Sequence, residues 1–297
     1  MLLRFLGTSA GELYPGLWCR CRNCEQARGG DPKNRRQSAA LYVEPGSPYA
    51  TAPGNGILID FPSEIATQAY FYKVELPELQ HLLVTHSHGD HWFPYLLRWR
   101  SKPGIVCAPG EVALKEIGGP RFTPLPTLHI YGNAAVEAVL HRELGENLEP
   151  YALEFHSVRP GVSFAVGDFR VTALHAHHDI GREEAFHYAL QKGSHTVLYG
   201  LDGDTFLPET REALRSFQFD VVIMESTYGL GNGGNHRNFA RLIEEAAWFR
   251  AENLMTSHGR IVATHFSPHH SPPHQETSDY LHPHGIVAAW DGMEIRL

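Results

Sequence analysis

Leu82-Leu83-Val84-Thr85-His86-Ser87-His88-Gly89-Asp90-His91 is the stretch on which the reading of this chain turns. Leu82 to Val84 is an apolar run of the kind that forms a buried strand, and period-two alternation sends His86 and His88 off its end on one side. Gly89 permits a sharp turn, so Asp90 and His91 face the same space from a second direction, just before a helix expected over Trp92 to Arg100. A lone histidine pair would fit a solvated loop. Three imidazoles and a carboxylate within residues 85–91 instead make a metal site. Two ligand pairs on one turn suit two cations, which together activate water and hold the attacking and leaving oxygens of an ester.

The rest of the composition is that of an ordinary folded chain: 42% hydrophobic and 20% charged over 297 residues. An α/β protein reaches this length as one unit with a large core, and no linker interrupts the sequence. A single domain over 1–297 is expected, with a small cysteine-cluster loop at 17–26. The net charge of −8 argues against a broad nucleic-acid-binding face. Met1 to Gly7 is too short and too soon polar to read as a secretory signal, and no run of 18 apolar residues occurs, so neither export nor a membrane partner is expected. A cytoplasmic location follows as the expectation. There the close-set Cys19, Cys21 and Cys24 do not read as a disulfide framework. Three thiolates suit zinc and leave one tetrahedral position for a distant histidine; reactive redox thiols are the alternative.

Outward from the motif, Leu2 to Leu6 reads as a strand ending in the small-residue loop Gly7-Thr8-Ser9-Ala10-Gly11, able to approach the site closely. Ala40–Val43 and Gly56–Ile59 read as paired strands around a loop from Pro45 to Asn55. Beyond the motif come a short apolar run at Ile105–Cys107, a helix at Glu111–Ile117 and a Pro/Gly-rich flap from Gly118 to Leu128. An Asn-capped amphipathic helix follows at Asn133–Leu144. Gly167-Asp168 and Lys192-Gly193 mark hairpins, and Asp291-Gly292 marks a third between Ile286–Trp290 and Met293–Leu297. Pro208–Phe217 and Asn238–Asn253 read as helices, and Asp220–Glu225 and Arg260–Thr264 as buried strands. Glu225 reads as a strand-end acid, with a supporting role behind the metal ligands as the alternative. His129, His141 and His156 carry no motif support and read as ordinary surface or core histidines.

The His-x-His-x-Asp-His arrangement of His86, His88, Asp90 and His91 resembles the signature of the metallo-β-lactamase superfamily, and the resemblance runs the length of the chain. It implies an αββα sandwich of two mixed sheets flanked by helices, with a dinuclear centre of Zn²⁺ or Mn²⁺ at one edge. The further ligands it implies are His178, with His177 in reserve because adjacent residues on an extended chain face opposite ways; Asp202 as the carboxylate bridging both ions, with Asp204 as its rival; and His265. Thus His86, His88 and His178 would take one ion and Asp90, His91 and His265 the other. Asp60 would orient a ligand imidazole.

The Gly-Thr-Ser-Ala-Gly opening, the cysteine cluster and Asn34-Arg35-Arg36-Gln37-Ser38 narrow the resemblance. They are similar to the branch containing the phosphoribosyl cyclic phosphate phosphodiesterases. That branch implies a structural zinc on Cys19, Cys21, Cys24 and a histidine. Its usual place is occupied by Pro268, leaving His269, His270 or His274, of which His269 is chosen. It also implies that His236 approaches the substrate phosphate, with Asp90 and His236 as the catalytic pair, and a small, cyclic or open phosphodiester as substrate. A homodimer is compatible with all of this. The rivals are a thioester, lactone, β-lactam or RNA hydrolase of the same superfamily, and a non-catalytic carrier similar to the pyrroloquinoline quinone biosynthesis protein B type.

Overall fold

A computed structural model describes residues 1–45, 56–100 and 125–297. The loop expected after Pro45, the Ile105–Cys107 run, the helix at Glu111–Ile117 and the flap from Gly118 as far as residue 124 lie outside the described residues. Within them the chain forms two seven-stranded mixed sheets. The first contains β1 (Leu2–Gly7), β2 (Ala40–Glu44), β3 (Ile57–Ile59), β4 (His81–Leu83), β5 (Leu128–Gly132), β6 (Leu153–Ser157) and β14 (Glu294–Arg296), in the order β14-β1-β2-β3-β4-β5-β6. The second contains β7 (Ser163–Val166), β8 (Phe169–His175), β9 (Phe186–Lys192), β10 (His195–Gly200), β11 (Phe219–Glu225), β12 (Met255–Thr264) and β13 (Ile286–Ala288), in the order β13-β12-β11-β10-β9-β8-β7. Each sheet is antiparallel in one half and parallel in the other: β3 to β6 run parallel, as do β10 to β13.

Alternation assigns the faces. Leu3, Phe5, Leu41, Val43, Ile57, Ile59 and Leu83 from one sheet meet Val171, Tyr188, Leu190, Val197, Tyr199, Val221 and Ile223 from the other in the central core. The opposite faces pack under helices, including α2 (Ile65–Tyr72) and α3 (Ala134–Leu144) on the first sheet and α4 (Pro208–Leu214), α5 (Phe239–Ala251) and α6 (His274–Leu281) on the second. In α5 the buried Phe239, Leu242, Ala246 and Phe249 recur at helical spacing, and the Asn238 side chain caps its start by accepting from Arg241 N. This is the αββα sandwich that the motif resemblance implies.

Several elements differ from the sequence expectation, among them α1 (Arg22–Gly29), a helix that takes in Cys24 and the end of the cysteine-cluster loop expected at 17–26. Residues Pro94–Arg100 form a 3₁₀ helix rather than an α-helix from Trp92, because two turn bonds to the His88 carbonyl and Pro94 delay the start. The terminal segments form no hairpin with each other: β13 joins β12 in the second sheet, while β14 joins β1 in the first. The Asp291-Gly292 turn therefore passes between sheets. Asp291 is the reason, since its carboxylate accepts from the Thr8 hydroxyl at 2.6 Å and from Gln37 N at 2.7 Å, both belonging to the first sheet's loops.

The register decides where the chemistry lies. β8, β10, β11 and β12 all run in one direction, so His178, Asp202, Glu225 and His265 emerge at or just past strand ends on one edge of the second sheet. The motif loop leaves β4 at the facing edge of the first. Asp60, Asp179, Asp202 and His265 all have positive φ, four of the eight non-glycine residues so observed, as the chain turns sharply out of its strands.

Candidate metal centre

Seven side chains meet at that edge in two clusters: His86, His88, His178 and Asp202 in one, and Asp90, His91 and His265 in the other. Asp202 lies between them. Its Oδ2 is 3.6 Å from His86 Nε2 and 3.7 Å from His178 Nε2, while its Oδ1 is 3.4 Å from His91 Nε2 and 3.2 Å from His265 Nε2. Asp90 Oδ2 is 3.4 Å from His91 Nε2 and 3.7 Å from His265 Nε2. Donors held by one ion through bonds of roughly 2.0–2.2 Å lie about 3–3.6 Å apart, close to these spacings.

Hydrogen bonds behind the rings settle which nitrogen faces inward. The Thr85 hydroxyl donates to Asp60 Oδ1 at 2.9 Å, so its oxygen receives the Nδ1 proton of His86 at 3.0 Å. The Thr227 hydroxyl donates to Glu225 Oε2 at 2.7 Å and in the same way receives from His265 Nδ1 at 2.8 Å. His91 Nδ1 donates directly to Asp60 Oδ2 at 2.9 Å. All three Nε2 lone pairs are thereby turned toward Asp202. His86 Nε2 and Asp202 Oδ1 are buried without a hydrogen-bond partner, and with both rings neutral His91 Nε2 faces His265 Nε2 lone pair to lone pair at 3.2 Å. Such lone pairs converge stably on a cation.

The electrostatics point the same way. Burial lowers the His86 and His178 imidazoles, keeping them neutral and able to ligate. Burial would also lower His91, but Asp202, Asp90 and Asp60 outweigh it and raise that imidazole well above its ordinary value. Asp90, despite burial, is held well below the carboxylate range, chiefly by His91. The carboxylates draw positive charge into the cluster, as a proton on His91 or as divalent cations.

The alternatives that the sequence leaves open occupy different positions. His178 is buried in the cluster while His177 is exposed. Asp204 points elsewhere, 3.9 Å from the Arg241 guanidinium. Gly11 passes over Asp90 so closely that a Cβ there would sit 3.1 Å from Asp90 Oδ2, the close approach expected of the small-residue loop. Asp60 holds His91 as expected. Replacing it with Asn should lower affinity for the ion on His91 by about 10- to 100-fold, read by chelator competition, with unchanged affinity detaching Asp60 from that role.

Glu225 is more than a strand-end acid. It is fully buried, and its Oε1 accepts from His236 Nδ1 at 2.9 Å, from Gly203 N at 3.1 Å and from Arg237 N at 3.1 Å, while Oε2 serves Thr227. His236 thus stands in the same edge, its ring 5.0 Å from that of His178 and 6.0 Å from that of His265. Thr85, Thr227 and Glu183 were not singled out by sequence. Glu183 accepts from Ser87 N, Ser87 Oγ and Asn133 Nδ2, pinning the motif turn.

A second cluster brings Cys19, Cys21 and Cys24 together. His269 Nδ1 lies 4.0 Å from Cys19 Sγ. The other two candidates face elsewhere: His270 packs on Tyr228, and His274 lies against Arg36, its Nδ1 3.2 Å from the guanidinium. Asn23 donates to the Pro268 and Ser271 carbonyls and so ties the 268–271 turn to the cysteine loop.

An αββα sandwich carrying paired His/Asp clusters at one edge defines a class of metal-binding folds. Residues 55–266 match the model of the beta-lactamase superfamily domain, and the chain belongs to that superfamily of metal-dependent hydrolases. It is 26% identical over 295 residues to an octanoyltransferase of Porphyromonas gingivalis, a match covering 97% of this chain and 49% of that protein. It is 32% identical over 130 residues to a ribonuclease Z of Thermosynechococcus vestitus, covering 43% of this chain and 28% of that one. The chain therefore spans about half the length of the first relative and less of the second. Among solved structures, a diphosphatase from the PhnP family superposes with a TM-score of 0.72 at 22% identity, over 100% of this chain and 97% of that one. No helix among the described residues is long and apolar enough to cross a membrane.

Proposed function

We propose that the protein is a dinuclear hydrolase of small phosphodiesters, open or cyclic. His86, His88 and His178 would hold one ion and Asp90, His91 and His265 the other, with Asp202 available to both. The observation that carries the reading is the division of the Asp202 carboxylate, with one oxygen toward His86 and His178 and the other toward His91 and His265. When bound, two such cations lower the pKa of a water and hold phosphate oxygens. The donor set of imidazoles and carboxylates suits Zn²⁺ or Mn²⁺.

The protein's own groups complete the reaction. Asp90 and the imidazoles fix the ions, and His236, oriented by Glu225, is positioned to hand a proton to the departing alkoxide. Two of the similar proteins are named for reactions at phosphorus, a diphosphatase and a ribonuclease, which supports the substrate class. The net charge of −8 favours a small substrate over an extended RNA. The test is metal content followed by turnover of bis-p-nitrophenyl phosphate, cyclic nucleotides and ribose cyclic phosphates. Turnover of thioesters or lactones with none on any phosphodiester would overturn the reading.

The cysteine cluster is read as a separate structural zinc site closed by His269. Burial and the neighbouring thiols push Cys24 up to about 12, so its sulfur becomes a thiolate near neutral pH only with a cation beside it. Cys21→Ser is expected to lose one zinc per chain and to melt at lower temperature, with little change in turnover per folded molecule. Equal zinc content and equal melting temperature would show that the cysteines hold no metal.

A further inference from the structure

His129 and His156, which no sequence motif supports, come together with Glu154 on β5 and β6. The parallel register explains how. β5 and β6 pair His129 with Glu154 and Tyr131 with His156, so all four side chains share one face of the first sheet. His81 pairs with His129 on the same face and opens β4, beyond whose other end lies His86.

The three donor groups form a triangle. His129 Nδ1 is 3.0 Å from His156 Nε2 and 3.5 Å from Glu154 Oε2, and His156 Nε2 is 3.6 Å from Glu154 Oε1. A hydrogen bond between the rings accounts for the first distance alone. It leaves the carboxylate near the same two nitrogens yet beyond good hydrogen-bond reach of either. Three ligands on one cation, with metal–nitrogen bonds of roughly 2.0–2.1 Å, would lie about 3 to 3.6 Å apart, which accounts for all three distances together.

The rings are held for this. His81 stacks on His129 with centroids 5.7 Å apart, and Tyr131 stacks on His156 at 4.7 Å and in turn on Phe164 at 5.3 Å. Such packing fixes ring orientation before any ion arrives.

We infer that His129, His156 and Glu154 form a further metal site, separate from the hydrolytic centre, for a late first-row divalent cation such as Zn²⁺, Ni²⁺ or Cu²⁺. Two imidazoles and a carboxylate select that class over Mg²⁺ or Ca²⁺. Among the described residues β6 is the edge strand of its sheet, so an ion shared between β5 and β6 clips that edge to its neighbour and adds to the stability of the folded chain.

The test uses the full chain with its His/Asp centre and cysteine cluster already loaded, dialysed against buffered micromolar Zn²⁺ and then counted by elemental analysis. The parent should take up one more ion per chain than the double variant His129→Ala/His156→Ala. Its melting temperature should rise by a few degrees with that ion, a rise the variant lacks. Should the double variant fold poorly, Glu154→Gln alters only a half-exposed side chain and should weaken uptake by about tenfold or more, with phosphodiester turnover unchanged. Equal ion counts in the parent and the variants would overturn the site, as would uptake by the parent only at millimolar Zn²⁺.

Discussion

Asp202→Ala is expected to lose phosphodiester turnover by more than about 10²-fold, together with at least one of the two ions proposed for the His/Asp centre. The bound for comparison is the 10- to 100-fold typically lost when only a partner behind a ligand is removed; here the removed group faces four imidazoles itself. It is buried, and its two oxygens divide between the pairs His86/His178 and His91/His265. Without it the two half-sites have no shared ligand, and the imidazoles lose the carboxylate that offsets two dications. Asp202→Asn keeps the shape and one good acceptor oxygen but removes the charge, so its metal affinity should fall between parent and Ala variant. The fold should persist, because the sheets close on the central core, to which Asp202 does not belong. Full turnover by Asp202→Ala at unchanged metal content would sink the bridging role.

How much of this was visible in the chain follows from the reach of each interaction. His86, His88, Asp90 and His91 were legible because their spacing is covalent: one strand end and one glycine turn fix where four side chains go. His178, Asp202 and His265 needed the resemblance, since nothing local says that the ends of β8, β10 and β12 lie on one edge. Thr227 was missed for a plainer reason. Its hydroxyl matters through His265, 38 residues away, and a threonine two residues beyond a strand-end acid looks like any turn residue. Glu183 reaches Ser87 across 96 residues. The hairpins at Gly167-Asp168 and Lys192-Gly193 formed as expected because in each case both strands continue in one sheet. The same local signal at Asp291-Gly292 misled, because the Asp291 carboxylate is tied to Thr8 and Gln37 and the chain crosses between sheets there. Turn chemistry reports the turn, and tertiary contacts decide which sheet receives the strand after it. His129 and His156 show the converse case: two histidines without a motif, brought together with Glu154 by strand register alone.

His236→Ala separates phosphodiester hydrolysis from the other reactions of this superfamily. Each ligand of the two proposed ions is committed, so none of the seven is free to supply the proton that an alkoxide needs as it leaves. His236 is free to do so. Burial by itself would lower its imidazole, but the hydrogen bond to Glu225 and the charge of that buried carboxylate lift it to about 9, so the ring carries its proton at neutral pH. Positive charge bound in the adjacent clusters pushes that value down toward the working pH, where proton donation is most effective. A positioned general acid contributes about 10² to 10⁴ in rate, and only where the leaving group requires it. The variant should therefore retain its metals and most of its turnover on p-nitrophenyl esters, while losing about 10²-fold or more on alkyl phosphodiesters. Glu225→Gln should show a weaker form of the same split, because a neutral amide still orients the ring but no longer holds its proton. Equal losses on both substrate types would make His236 a phosphate-binding or shape-determining residue, and no loss on either would leave it without a part in the chemistry.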